Sequence, residues 1–246
     1  MLAVLGPLAI LLFMAPIGQD PAYHSFADRR GALGIPNFFD VVSNACLLLA
    51  GAAGVRARLT GRVSIESRGW ATLFVGTALV GFGSAYYHWS PSDGTLVWDR
   101  LPLALISIGF FIGLVDDRIS QRLAAVLFIP AVLAGLGSVI YWHYTNDLRL
   151  YVWIQLLPVV TLPVAVLCYR PRHTHQGYLG VVLVLYVLAR ILEVYDHELF
   201  SLTGNMVSGH TLKHVMAALA VCVVLAMLLA RTRVSGDDHI KLNNRS

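Results

Sequence analysis

The chain alternates long apolar runs with short polar connections. Eight apolar runs cover residues 2–16, 38–55, 69–88, 101–115, 123–142, 151–169, 178–195 and 210–230. Hydrocarbon offers no water to unpaired backbone groups, so runs of this kind predict helices. Several are shorter than the ~20 residues that cross a bilayer comfortably. After the third run "SPSDG" predicts a break, because Pro and Gly interrupt regular structure. The pattern predicts an all-α, polytopic membrane helix bundle: a seven-helix core preceded by one short N-terminal apolar helix. We expect a single membrane domain over 1–246, with an anchor or extra helix at 1–19, the core at 20–230 and a polar cytoplasmic tail at 231–246. A signal peptide would open with positive charge. The first run has none, so a retained anchor or spanning helix is expected there.

Composition points the same way. The chain is 57% hydrophobic and 13% charged, against about 25% charged in soluble domains. The net charge of +4 comes without a basic patch interleaved with aromatics, which excludes a nucleic-acid partner. The basic residues set orientation instead. Alternate connections hold Arg56, Arg58, Arg62 and Arg68, then Arg118 and Arg122, then Arg170 and Arg172, then Arg231, Arg233, Lys241 and Arg245. The opposite connections hold only Arg29, Arg30, Arg100 and Arg149. That asymmetry predicts the richer side, with the C-terminus, to be cytoplasmic. Cys46, Cys168 and Cys222 all fall within apolar runs and have no CxxC neighbour, so neither a disulfide framework nor a cysteine zinc site is indicated.

The candidate chemistry lies where run three ends and run eight begins, on the far side. Ser84 and His88 are four apart on one helical face, and Asp99 follows eleven residues later. Alone, Asp99 reads as a helix N-cap and His88 as an interfacial histidine with its polar tip in water. "SGHTLKHV" changes this. His210 and His214 are also four apart, and both imidazoles of an HxxxH helix can reach one metal. All three histidines then lie at one depth on one face, where ionisable groups tend to be functional. Three histidines with an open position fit a catalytic zinc site. Zinc lowers the pKa of bound water to about 7. A carboxylate, Asp99, can take a proton, and a hydroxyl, Ser84, can donate to a developing oxyanion.

The set "SAYYH", Asp99 and "HTLKH", with "NFFDVVSN" at 37–44, resembles the alkaline ceramidase family, within the CREST superfamily of seven-helix membrane hydrolases. The likeness covers about residues 20–230. It implies zinc ligation by His88, His210 and His214, Asp99 as base, Ser84 assisting the oxyanion, and cleavage of the amide of ceramide. It places Lys213 and Tyr87 near the substrate and implies calcium bound by acidic residues before the first core helix, for which Asp20 and Asp28 are available. Two positions depart from the family: Lys213 replaces an aromatic residue, and Asn37 an acidic one.

The expected function is a membrane zinc amidohydrolase acting on ceramide or a related long-chain N-acyl lipid that enters from the bilayer. The alternative is a non-catalytic, lipid-sensing receptor-like protein with a structural zinc. Asp99 and Ser84 discriminate, since a structural site gains nothing from them. A transporter fits less well, for no chain of polar residues crosses the membrane. Elsewhere, Arg190 and Glu193 are expected to pair in the bundle. Asp196, His197 and Glu198 are expected in a solvated loop, and His173 and His175 are expected to be solvated.

Overall fold

A computed structural model describes residues 2–63 and 67–234. Lys241, Arg245 and most of the expected polar tail lie outside the described residues. The architecture is all-helical: α1 (Leu2–Phe13), α2 (Phe38–Leu59), α3 (Arg68–Trp89), α4 (Asp93–Leu114), α5 (Gln121–Thr145), α6 (Arg149–Cys168), α7 (Tyr178–Val194), α8 (Asp196–Leu202) and α9 (Gly209–Ala230). The seven long helices, α2–α7 and α9, follow the last seven apolar runs closely. α2, α4, α5, α6 and α9 are long and apolar enough to cross a membrane, and α7 with α8 makes a sixth candidate span bent by 80°. α3 has 22 residues, enough for about 33 Å. Its glycines, threonines and terminal polar aromatics dilute its hydropathy.

The helix starts follow from local hydrogen bonding. Ser92 accepts from Thr95 N and Thr95 closes a capping box on it; Ser120 accepts from Leu123 N, and Ser208 from Thr211 N. Each hydroxyl satisfies an N–H that the first turn leaves unpaired. The break after α3 is therefore only three residues long, and α4 begins at Asp93. Asp99 lies a full turn or more inside α4. It is not the N-cap that its place in the sequence suggested.

α3 packs between α2 and α4, α9 joins α2 to α7, and α4 carries α5 and α6. The α3–α4 contact runs through bare backbone. A Cβ at Gly83 would overlap the Trp98 carbonyl, and one at Gly109 would come within 2.5 Å of Leu73 N. Small residues of this kind let helices approach closely where hydrophobic driving force is weak. α7 packs mainly on α9. α7 buries only Leu179, Val182 and Ala189, while Val184, Tyr186, Val187 and Ile191 stay exposed.

Helix polarity gathers Arg56, Arg58, Arg62, Arg68, Arg118, Arg122, Arg170, Arg172, Arg231 and Arg233 at one end of the bundle and the three histidines at the other. Arg100, counted among the loop residues of the histidine side, is instead buried within α4. α1 has 12 residues, about 18 Å, short of the ~30 Å hydrocarbon core. It leans on α6. Arg149 fastens its end by donating Nη1 to Met14 O at 2.8 Å.

Candidate metal centre

His88 ends α3; His210 and His214 open α9. Their ligand nitrogens lie within 4.8 Å of one another, and the residues are 1%, 6% and 3% exposed. His88 Nε2 and His210 Nε2 face each other at 3.2 Å. The HxxxH spacing accounts for His210 and His214, and the α3–α2–α9 packing brings His88 to them.

The surroundings set how these rings are held. Ser43 Oγ lies 2.7 Å from His214 Nδ1 and donates to Asp40 O at 3.1 Å. A hydroxyl has one hydrogen. With that hydrogen on Asp40 O, Ser43 accepts from His214 Nδ1–H, which leaves the lone pair on Nε2 for a metal, the arrangement usual in metal-binding histidines. Asp196 Oδ1 accepts His210 N at 2.7 Å, and its Oδ2 accepts Ala27 N at 2.9 Å. Asp40 Oδ1 accepts Thr211 Oγ1 at 2.8 Å. Asn37 Nδ2 donates to His88 O at 2.8 Å, filling one of the carbonyls left open at the end of α3.

Three neutral imidazoles fit a borderline-soft cation such as zinc. His88 differs from His214: with its Nε2 facing His210 Nε2, its Nδ1 is a buried nitrogen with no hydrogen-bond partner. Buried polar atoms normally have one.

Ser84 on α3 and Asp99 on α4 lie at the contact between the two helices. Both are buried, and the Ser84 hydroxyl is close enough to the Asp99 carboxylate to favour its charged form. Gly83 makes this possible, because α3 meets α4 there with only backbone between. Asp99 is not among the residues whose ligand atoms converge, so it is a neighbour of the site and not a ligand. Its strongest charge partners are Lys213 and Arg100. Lys213 is not a free cation: Nζ donates to Glu193 Oε1 at 2.9 Å, and Glu193 also pairs with Arg190. Arg100 sits over the Trp142 ring at 4.0 Å and donates to Gln19 Oε1 at 2.6 Å.

Residues 17–37 cover the site. Phe26 packs on His88 and His210 with ring centroids 4.6 and 4.9 Å away. His24 Nδ1 meets the Tyr87 hydroxyl at 2.9 Å. Tyr87, expected to contact substrate, is fully buried beneath this segment, because its ring packs on Phe26 and its hydroxyl is taken by His24.

The calcium expectation does not fit these side chains. Asp28 accepts Arg30 Nε at 2.8 Å and Nη2 at 2.6 Å, so its carboxylate is already neutralised. Asp20 caps the 3-10 turn Pro21–His24 through Ala22 N. Asn37 serves as a donor to His88 O, which a carboxylate could not do. Two other expectations also change. Asp196 is buried and holds α9 in place, because α8 turns it inward. His173 is largely enclosed, 3.7 Å from Asp117.

Phe26, Asp40, Ser43 and Asp196 were missed as supporting residues. Asp40 and Ser43 sit in "NFFDVVSN" at i,i+3, and that spacing was the available signal. No protein-family model, curated protein or solved structure matches the chain.

Proposed function

We propose that the protein is a membrane-embedded, zinc-dependent amidohydrolase that cleaves ceramide or a related long-chain N-acyl lipid. The observation that carries the reading is the convergence of three buried histidines, with buried Ser84 one helical turn before His88 and Asp99 across the α3–α4 contact from it. His88, His210 and His214 would hold the metal, which would supply an acidified water and a polarised carbonyl. Asp99 would take the proton as water adds to the amide carbon. Ser84 would donate to the oxygen as it gains charge. As the C–N bond breaks, the proton on Asp99 would pass to the leaving amine, giving a fatty acid and a free amine. The resemblance of the motif set to alkaline ceramidases supports the substrate class. The exposed apolar side chains of α7 suit contact with the acyl chains of a bilayer lipid.

The arginine-rich end is read as cytoplasmic by the positive-inside rule. The histidines then face the extracytoplasmic side. Zinc-loaded protein in lipid vesicles should release fatty acid from an N-acyl sphingoid, and the histidine and Asp99 variants should not. No turnover of any N-acyl lipid by the loaded protein would defeat the reading.

One observation favours the receptor-like alternative. Phe26 and its segment close over the histidines and leave them almost wholly buried, as suits a structural metal. In that case Asp99→Asn would leave ligand-dependent behaviour unchanged.

A further inference from the structure

Buried polar atoms without partners gather where α4 meets α5 and α6. Arg100 is 5% exposed and Trp142 2%. Arg100 Nη1 and Trp142 Nε1 are both enclosed and have no hydrogen-bond partner. Gln155 Nε2, one turn along α6 from Tyr151, is a third such atom; the oxygen of that amide is already used by Ser107 Oγ at 2.7 Å. All three are N–H donors. Buried donors normally have acceptors, and acceptors are what this contact lacks.

The arginine is held rigidly. Its guanidinium carbon lies 4.0 Å from the Trp142 ring centre, 5.0 Å from that of Tyr151 and 5.6 Å from that of Tyr23. Aromatic rings contact the face of a guanidinium and leave its N–H edge for other partners. Nη2 is taken by Gln19 Oε1 at 2.6 Å; Nη1 is not taken. Among the described residues no carboxylate lies within ion-pair distance of Arg100. Asp99, the preceding residue, feels the charges of both Lys213 and Arg100. It faces Ser84 on α3 and leaves Arg100 Nη1 unfilled.

The chemistry of the missing partner follows. A carboxylate matches the planar edge of a guanidinium, with charge-assisted hydrogen bonds, and its second oxygen can accept from an indole N–H. The walls are apolar. Leu96 and Ala104 of α4 and Ile154 and Leu157 of α6 belong to the same buried cluster as Trp142 and Tyr151. Arg100 is the eighth residue of α4, about 10 Å along the helix from its start, and α4, α5 and α6 are all apolar enough to cross a membrane. A small hydrated anion would lose its water there with little return. An anion carried on an acyl chain brings apolar surface to bury with it.

We infer that Arg100 and Trp142 bind the carboxylate of a long-chain acyl lipid, on the α5–α6 side of α4 and apart from the histidine ligands. Two sources present that group, a fatty acid and an N-acyl amino acid. The inference concerns binding and does not depend on the proposed hydrolase activity.

The test uses the full chain purified in detergent, with binding read by native mass spectrometry. The probes are palmitate, N-palmitoylglycine and the neutral hexadecanol. Wild type should bind at least one of the carboxylates roughly 10-fold or more tightly than hexadecanol, the scale of a charge-assisted hydrogen bond. Arg100→Gln should lose that preference and leave hexadecanol binding unchanged. Trp142→Phe keeps a ring and removes the N–H, and should weaken carboxylate binding about 2- to 10-fold. His210→Ala should keep the preference, which separates this site from a carboxylate held by a metal. Tighter palmitate would assign the fatty acid, and tighter N-palmitoylglycine the N-acyl amino acid. Should Arg100→Gln fold poorly, Trp142→Phe decides alone. Equal binding of carboxylates and hexadecanol by wild type, a preference undiminished in Arg100→Gln or in Trp142→Phe, or its loss in His210→Ala would each overturn the inference.

Discussion

The carboxylate of Asp196 accepts the backbone N–H of His210 at 2.7 Å while its other oxygen accepts Ala27 N at 2.9 Å. One buried side chain thus fixes both the start of α9 and the segment that covers the histidines. Asp196→Ala leaves the buried His210 N–H unpaired, at about 1–3 kcal/mol, and frees the part-buried Ala27 N–H at a smaller cost. The variant should show a clearly lower Tm in detergent and weaker zinc retention, by roughly 10- to 100-fold if Asp196 acts as an outer support of the ligands. An unchanged Tm would contradict the role.

The metal assignment has a direct check. Three converging imidazoles should bind about one zinc per chain. His210→Ala should lose it, as measured by elemental analysis of purified protein. Ser43→Ala should keep the metal but bind it about 10-fold or more weakly, because His214 would lose the partner that orients its ring. Full zinc in His210→Ala would refute the ligand set.

Asp99→Asn separates catalyst from receptor. The amide keeps the size of the side chain but cannot take a proton. Zinc should stay bound, and hydrolysis of an N-acyl sphingoid should fall by roughly 10²-fold or more. Ser84→Ala should lose less. Wild-type turnover in Asp99→Asn would sink the base assignment.

Gly83→Ala tests how the pair is assembled. A Cβ at this position would overlap the Trp98 carbonyl, so α3 and α4 must part. We expect a loss of about 1–3 kcal/mol in stability. Activity should drop even in the fraction that folds, because Ser84 and Asp99 are the adjoining residues. Retention of both stability and activity would argue against the close backbone contact.

Asp28 predicts a pH dependence. Burial alone would raise its carboxyl, but the Arg30 side-chain and backbone donors outweigh burial and hold it below the ordinary range. A depressed carboxylate contributes stability above its unfolded pKa of about 3.9, and loses it as pH falls through the folded value. In metal-stripped protein, Asp28→Asn should unfold at lower temperature than wild type at neutral pH. The gap should shrink below about pH 4. A gap that is constant down to pH 2 would contradict the linkage.

The seven long helices were legible because lipid-facing surface imposes long apolar runs, and these survive in sequence. Ser84, His88, Asp99, His210 and His214 were legible because two helical spacings and one short break placed them at a common end. The supports were not. Asp196 looked solvated because its inward turn depends on the 80° bend between α7 and α8, which no local pattern records. Tyr87 looked available to substrate because its cover, Phe26 with His24, comes from sixty residues away, in a stretch without periodicity. Lys213 stood out only as a departure from an aromatic position, and its pairing with Glu193 of α7 depends on helix packing that sequence spacing does not record.

α3 offers lipid less than its neighbours do, since most of its apolar and small side chains are spent on α2 and α4. A segment of that kind gains little by partitioning alone into a bilayer, where each span must be favourable on its own surface. Its entry therefore depends on company, and α4, which follows after only three residues, is the partner supplied first. The two are best regarded as one hairpin that is inserted as a unit during synthesis. The residues bordering the histidines would then be brought together at the moment of insertion, before the last helix carrying His210 and His214 has left the ribosome.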